Sequence, residues 1–98
     1  MKKRVVITGM GIVSPLGIGV KANKEALFEG RSGVDYIKSF TPAEDFPVKI
    51  AGEVKGFDPK VYIDHKDIKK MDRFIHYAIA CTNMAMDESG LEITDSNA

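Results

Sequence analysis

The 98-residue chain carries 14 basic and 14 acidic residues, one cysteine and no tryptophan. A length near 100 fits one small domain or part of a larger one. A pI near 6.7 excludes a general binder of nucleic acid or anionic lipid, because neither phosphates nor acidic headgroups attract the chain as a whole. With 44% apolar and 29% charged residues it is a folding composition, and a lone cysteine excludes an internal disulfide and a cysteine zinc site.

Lys2, Lys3 and Arg4 precede an apolar run from Val5 to Val13 that resembles a secretion signal in outline. Thr8, Gly9 and Gly11 interrupt the run, Pro15 and Gly17 close it, and no small-residue cleavage site follows. No stretch is long and apolar enough to span a bilayer. A free thiol and a cytoplasmic, reducing setting are expected.

Residues 4–13, RVVITGMGIV, read as a strand, and the consecutive β-branched Val5, Val6 and Ile7 predict cover on both faces. In the following SPLGIG, Pro15, Gly17 and Gly19 argue against a regular element. A helix is expected over about 20–30, with Ala26 and Leu27 inward, Val20 and Asn23 toward the same side, and Gly30 as a left-handed stop. Ser32-Gly33 marks a turn. Residues 36–47 read as loop, because Thr41-Pro42 and Phe46-Pro47 bias the chain away from helix. VKIAGEV, residues 48–54, alternates like a short edge strand.

From about residue 64 or 66 to Ser89 the spacing predicts a long helix, with Asp72 as a break point and Gly90 as its cap. Ile68, Met71, Ile75, Ala78, Ile79, Thr82 and Met86 form one apolar stripe; Phe74, Tyr77, Cys81, Met84 and Ala85 form a second. A helix apolar on most sides and a strand covered on both faces ask for more neighbours than one further strand and one further helix supply. The chain is therefore expected to be a segment of a larger α/β domain.

Three constellations compete for function. Gly9-x-Gly11 after a strand opens like a dinucleotide-binding turn, but Ser14 stands where the third glycine belongs and Pro15 follows, so close backbone packing is the preferred reading. His76 and Cys81 lie five residues apart, about 500° of helical rotation, which points their side chains away from each other and excludes a nucleophile–base pair from one helix. Cys81 is expected to be a buried small hydrophobe, and with only His65 and His76 beside it the ligands for a metal site are lacking. The scattered carboxylates show nothing that would drive two pKa values apart, so no acid–base role is assigned. Lys66, Lys69, Lys70 and Arg73, at i, i+3, i+4 and i+7, predict a basic helical face. On composition a solvated face is favoured over a ridge that docks an acidic partner.

The order and spacing of VVITGMGIVSPLG, Gly30-x-Ser32-Gly33-Val34, AGEVKGFDP (51–59), KKMDRF (69–74) and DESGLEIT (87–94) carry a resemblance over essentially the whole chain. The chain resembles the N-terminal part of the β-ketoacyl-acyl carrier protein synthases, best the type II condensing enzymes of bacterial fatty acid synthesis. The resemblance implies an α/β fold class, namely the N-terminal segment of a thiolase-like fold that is incomplete in this chain. It places residues 1–98 within one N-terminal domain with no internal boundary. It further implies a homodimeric acyltransferase with no nucleic-acid or membrane partner and no cofactor. The family's nucleophilic cysteine and two histidines lie beyond the first hundred positions, so no catalytic residue is carried over. By the same resemblance Lys66, Lys69 and Lys70 match basic positions that contact acyl carrier protein, with Arg73 less clearly matched, and the ridge is then expected to dock that partner. Two alternatives are kept: a noncatalytic, chain-length-factor-like or interaction fragment, and, less favoured, a nucleotide-binding oxidoreductase.

Overall fold

The computed structural model describes residues 2–98, which pack into two compact units: residues 13–57, and residues 2–12 together with 58–98.

In the unit of residues 13–57, strands β1 (Val13–Ser14) and β2 (Gly17–Ile18) pair antiparallel, with Ser14 opposite Gly17. The stretch read as devoid of regular structure thus holds a minimal hairpin, in which Pro15 and Leu16 form the two-residue connection. Helix α1 (Val20–Phe28) follows. Asn23 is 3% exposed and Ala26 fully buried, whereas Leu27 is 64% exposed, contrary to its expected inward placement. The cover over α1 reaches the edge marked by residues 23 and 26, one turn apart, and stops short of Leu27.

The end of α1 follows from Gly30. At φ 69° it takes the left-handed conformation that costs glycine least. Its N–H then donates to the Leu27 carbonyl at 3.1 Å and that of Arg31 to Ala26 at 2.9 Å, the paired bonds of a Schellman cap. Beyond it, β3 (Val34–Tyr36) pairs antiparallel with β4 (Ile50–Gly52), so β4 lies within the expected 48–54 strand but is shorter. Tyr36, read as loop, ends β3. All three β3 residues are exposed, so no hydrophobic alternation announces that strand.

Carboxylates close this hairpin. Glu53 accepts the Lys38 N–H at 2.8 Å and the Ser39 N–H at 3.2 Å. The Ser39 hydroxyl and then the Lys38 N–H hold its pKa below the ordinary value. Asp35 accepts the Tyr36 N–H at 2.7 Å, and this bond, followed by the charge of Lys38 3.8 Å away, lowers its pKa too.

In the second unit, residues 2–12 join no ladder. Val5, Val6 and Ile7 are 91%, 69% and 81% exposed, so the expected two-sided strand over 4–13 is absent except for Val13 at its end. A strand exists through its hydrogen-bonded neighbours, and the described residues bring none alongside this segment. The expected close backbone packing is present. A β-carbon on Gly9 would fall 2.1 Å from the Ala85 carbonyl oxygen, and one on Gly11 2.0 Å from that of Cys81.

Those carbonyls belong to helix α3 (Arg73–Ser89), which Gly90 ends at φ 68° with its N–H on the Met86 carbonyl at 3.0 Å. A 3₁₀ turn (Pro59–Val61) and the one-turn helix α2 (His65–Ile68) precede it. The break falls as expected at Asp72, whose extended backbone (ψ 162°) starts α3 afresh. His76 and Ala80 are buried on α3, Cys81, Met84 and Ala85 of the second stripe are half-buried, and residues 9–11 cross the backbone of α3 at Cys81 and Ala85. The first stripe is less covered than its periodicity predicts, since Ala78 and Thr82 are exposed. They join Ile75, Ile79, Asn83 and the 69%-exposed Phe74 in an open apolar groove of about 390 Å³. Helical spacing locates an apolar face, but which face is covered depends on what crosses it.

Among the described residues, no helix is long and apolar enough to cross a membrane.

Candidate functional site

The lysine-bearing corner between α2 and α3 is built by short-range hydrogen bonds. The Asp58 carboxylate accepts the Lys60 N–H at 3.0 Å and caps the 3₁₀ turn, and the Ile63 N–H returns to the Pro59 carbonyl at 2.9 Å, leading the chain to the buried Ile63. Four residues of α2 follow. The Lys70 N–H then closes onto the Asp67 carbonyl at 3.1 Å, and the Asp72 carbonyl accepts the N–H groups of Ile75 and His76 at 3.1 and 3.3 Å.

This geometry alters the expected single basic face. Lys66 lies within α2, Lys69 is its C-cap, Lys70 stands in the turn, and Arg73 is the first residue of α3. The four are not on one continuous helix, because the chain breaks between Ile68 and Arg73. All four are nevertheless exposed, and all sit on this one corner. Lys70 faces Asp67 at 3.7 Å, an exposed pair of small energetic weight. Among the described residues, Lys66, Lys69 and Arg73 form no ion pair, so three positive charges remain available to solvent or to an acidic surface. Asp67 and Asp72 beside them set a local limit on that positive field.

Behind the ridge, His76 is 7% exposed, and its Nε2 lies 3.0 Å from the Ile68 carbonyl oxygen. The other titratable residues considered from the sequence are placed apart from any reactive grouping. Cys81 is a free thiol, half-buried rather than buried as expected. His65 is exposed. Among the described residues, no cluster of three or more His, Cys, Asp or Glu side chains could hold a metal ion. Gly9 and Gly11 meet the backbone of α3, so the close approach they permit serves helix packing rather than a pyrophosphate.

The sequence did not disclose a polar cluster in the other unit. The Asn23 side-chain amide donates to the carbonyls of Gly17 and Gly19 at 2.9 and 2.8 Å, and its Oδ1 accepts from the Ser14 hydroxyl, which also accepts the Leu16 N–H at 3.1 Å. The available signal was a polar residue at an inward position of α1. What its amide reaches depends on the hairpin conformation.

Comparison with known proteins defines the class first. A solved structure described as the ishigamide ketosynthase/chain length factor superposes with a TM-score of 0.78, at 39% identity, over 89% of this chain and 21% of its own. The α/β segment is therefore that of a thiolase-like ketosynthase fold. The model of the beta-ketoacyl synthase N-terminal domain matches residues 2–98, and the chain belongs to that family. Over 97 residues it is 50% identical to 3-oxoacyl-[acyl-carrier-protein] synthase 2 of Vibrio harveyi and 48% identical to that of Coxiella burnetii, in each case covering 99% of this chain. The Staphylococcus aureus counterpart is 43% identical over 96 residues. The chain spans 23% of the length of each of these curated relatives.

Proposed function

We propose that this chain is the leading segment of a 3-oxoacyl-acyl carrier protein synthase, and that residues 1–98 form part of one N-terminal domain. The observation that carries the reading is the 50% identity, over nearly every residue, to a relative of that name. In the proposed reaction an acyl group passes from carrier protein to an enzyme cysteine thiolate. Malonyl-carrier protein then loses CO₂, and the resulting carbanion attacks the acyl thioester, forming the 3-oxoacyl product and releasing the thiolate. That chemistry needs a cysteine of lowered pKa at a helix N-terminus and two histidines to stabilise developing charge. Neither Cys81 nor His65 nor His76 takes those roles here.

The part assigned to this chain is scaffold and docking. Lys66, Lys69 and Lys70 are proposed to receive acidic acyl carrier protein in the cytoplasm, in a homodimeric enzyme without nucleic-acid or membrane partners. The exposure of all three supports this, as does the absence of an ion pair at Lys66 and Lys69 among the described residues. Reversing all three charges in the full-length synthase should weaken carrier-protein binding by about tenfold at low salt. The difference should shrink above about 0.15 M salt as the charges are screened. Unchanged affinity at low salt, measured by isothermal titration, would remove the docking assignment.

A second reading is supported by the solved relative, which is described as a ketosynthase/chain length factor. A noncatalytic partner of that kind would share this segment and lack the nucleophile. Sequencing the coding region beyond residue 98 separates the two. The synthase reading expects a cysteine at a strand-to-helix turn followed by two histidines, and the noncatalytic reading expects that cysteine to be replaced.

A further inference from the structure

Helix α2 has four residues, a single turn, and a helix this short does not persist on its own hydrogen bonds. Its last carbonyls have no intrahelical partner and must be satisfied from elsewhere. The Ile68 carbonyl belongs to the peptide that joins Ile68 to Lys69. It is approached by the Met71 N–H at 3.4 Å, a long contact, and by His76 Nε2 at 3.0 Å. A carbonyl can only accept, so Nε2 carries the hydrogen, whichever state the opposite ring nitrogen is in. His76 is buried in the first turns of a 17-residue helix, so the donor is held by the most extended element of its unit.

We propose that His76 is a positioning residue: its Nε2–H, donated to the Ile68 carbonyl, fixes the peptide on which Lys69 and Lys70 are presented to an acidic partner. The proposal rests on the carrier-docking reading above. The side chain stays behind the ridge and touches no partner. It removes freedom from the corner, so that the lysine backbones are set before docking and less ordering is required when the partner arrives. The Lys70–Asp67 contact at 3.7 Å spans the same turn but is exposed, and so it restrains the corner weakly by comparison.

The test uses the full-length synthase carrying this segment, with three variants: His76→Phe, which keeps a ring and loses the donor; His76→Gln, which keeps a donor; and the double charge reversal Lys69→Glu/Lys70→Glu. Three quantities are read: carrier-protein Kd, kinetics with a carrier-borne acyl thioester, and kinetics with an acyl thioester of a small thiol. For His76→Phe, Kd and the KM for the carrier-borne substrate should rise about three- to tenfold, the worth of one hydrogen bond. Turnover of the small thioester should stay within about twofold. His76→Gln should restore most of the affinity. If His76→Phe does not accumulate, His76→Asn, whose amide is too short to reach Ile68, replaces it with the same expected outcomes. Equal losses with both substrates, or a Gln variant as weak as Phe, would overturn the proposal in favour of a general structural role. A charge-reversed enzyme that binds poorly beside a His76→Phe enzyme that binds normally would overturn the proposal and leave the docking reading standing. Normal binding by the charge-reversed enzyme would overturn the docking reading, and this inference with it.

Discussion

Residues 13–57 and residues 2–12 with 58–98 both leave large apolar side chains exposed, Phe28 and Tyr36 in the one and Val5 and Phe74 in the other, but they differ in how their backbone groups are satisfied. In the first unit, two hairpins, a Schellman cap and the Ser14–Asn23 cluster pair backbone groups with partners no more than 18 residues away. In the second, Val5 to Ile7 have no ladder and α3 shows an open apolar groove along Phe74, Ala78 and Thr82. The contrast separates two kinds of structural instruction. Turns, caps and short side-chain bonds act wherever the residues occur. An apolar strand or helix face acts only when something is laid against it.

The largest effect should come from the unit with the unpaired apolar segment and the open helix groove. The 98-residue polypeptide, produced alone, is expected to aggregate or to remain partly unfolded, showing no cooperative transition in thermal or urea melts. A sharp two-state melt as a soluble monomer would erase the contrast.

Next in size is Gly11→Val in the full-length enzyme. A β-carbon there lies 2.0 Å from the Cys81 carbonyl oxygen, so the segment must lift from α3. A loss of about 3 kcal/mol or more is expected by denaturant unfolding. A loss under about 1 kcal/mol would mean that the crossing is loose.

Within the locally satisfied unit, Asn23→Leu should cost about 2 kcal/mol, because the carbonyls of Gly17 and Gly19 and the Ser14 hydroxyl lose a buried partner. If Asn23→Leu is neutral, the β1–β2 hairpin is held by its turn alone, and the contrast between the units rests on turns and caps.

The smallest effect concerns acid. Asp35 and Glu53 both have lowered pKa values in the folded chain, so each favours folding most when ionised. Their contribution is present above the unfolded carboxylate range and should fade as pH falls below about 4. Amide exchange at Tyr36, Lys38 and Ser39 should therefore quicken in that window, and Glu53→Gln should blunt the change at Lys38 and Ser39. A pH-independent rate ratio between wild type and Glu53→Gln would show that the carboxylate does not close the hairpin.

Much of the local structure was legible. Gly30 and Gly90 predicted their helix ends because few other residues tolerate a left-handed stop, and Asp72 predicted the break between α2 and α3. The order of the sequence motifs also led to the family. Other features were not legible for identifiable reasons. Strand β3 leaves no signal in the sequence because its three residues are exposed and carry no alternation. The minimal β1–β2 hairpin was hidden in a Pro- and Gly-rich turn. Periodicity predicts Leu27 inward because it marks a face without saying how far its cover extends. The i, i+3, i+4, i+7 spacing predicts one basic helical face because it assumes a helix that Asp72 itself interrupts.

The candidate site divides in the same way. Lys66, Lys69, Lys70 and Arg73 were visible as charges at a suggestive spacing, and their exposure follows from their chemistry. His76 was visible only as one of two histidines. Its bond to the Ile68 carbonyl depends on the turn that brings α2 back onto α3, eight residues away in sequence.

By itself the sequence determined the chain's neutral charge, its helix stops, its paired glycines and its kinship, because each of these resides in residue identity and short-range spacing. Only the tertiary structure decided which stripe of α3 is covered, that Gly9 and Gly11 press on the Ala85 and Cys81 carbonyls, and which backbone oxygens His76 and Asn23 serve. Those outcomes depend on which segments cross one another. Burial and hydrogen-bond partnership are properties of the crossing and cannot be assigned to either segment alone.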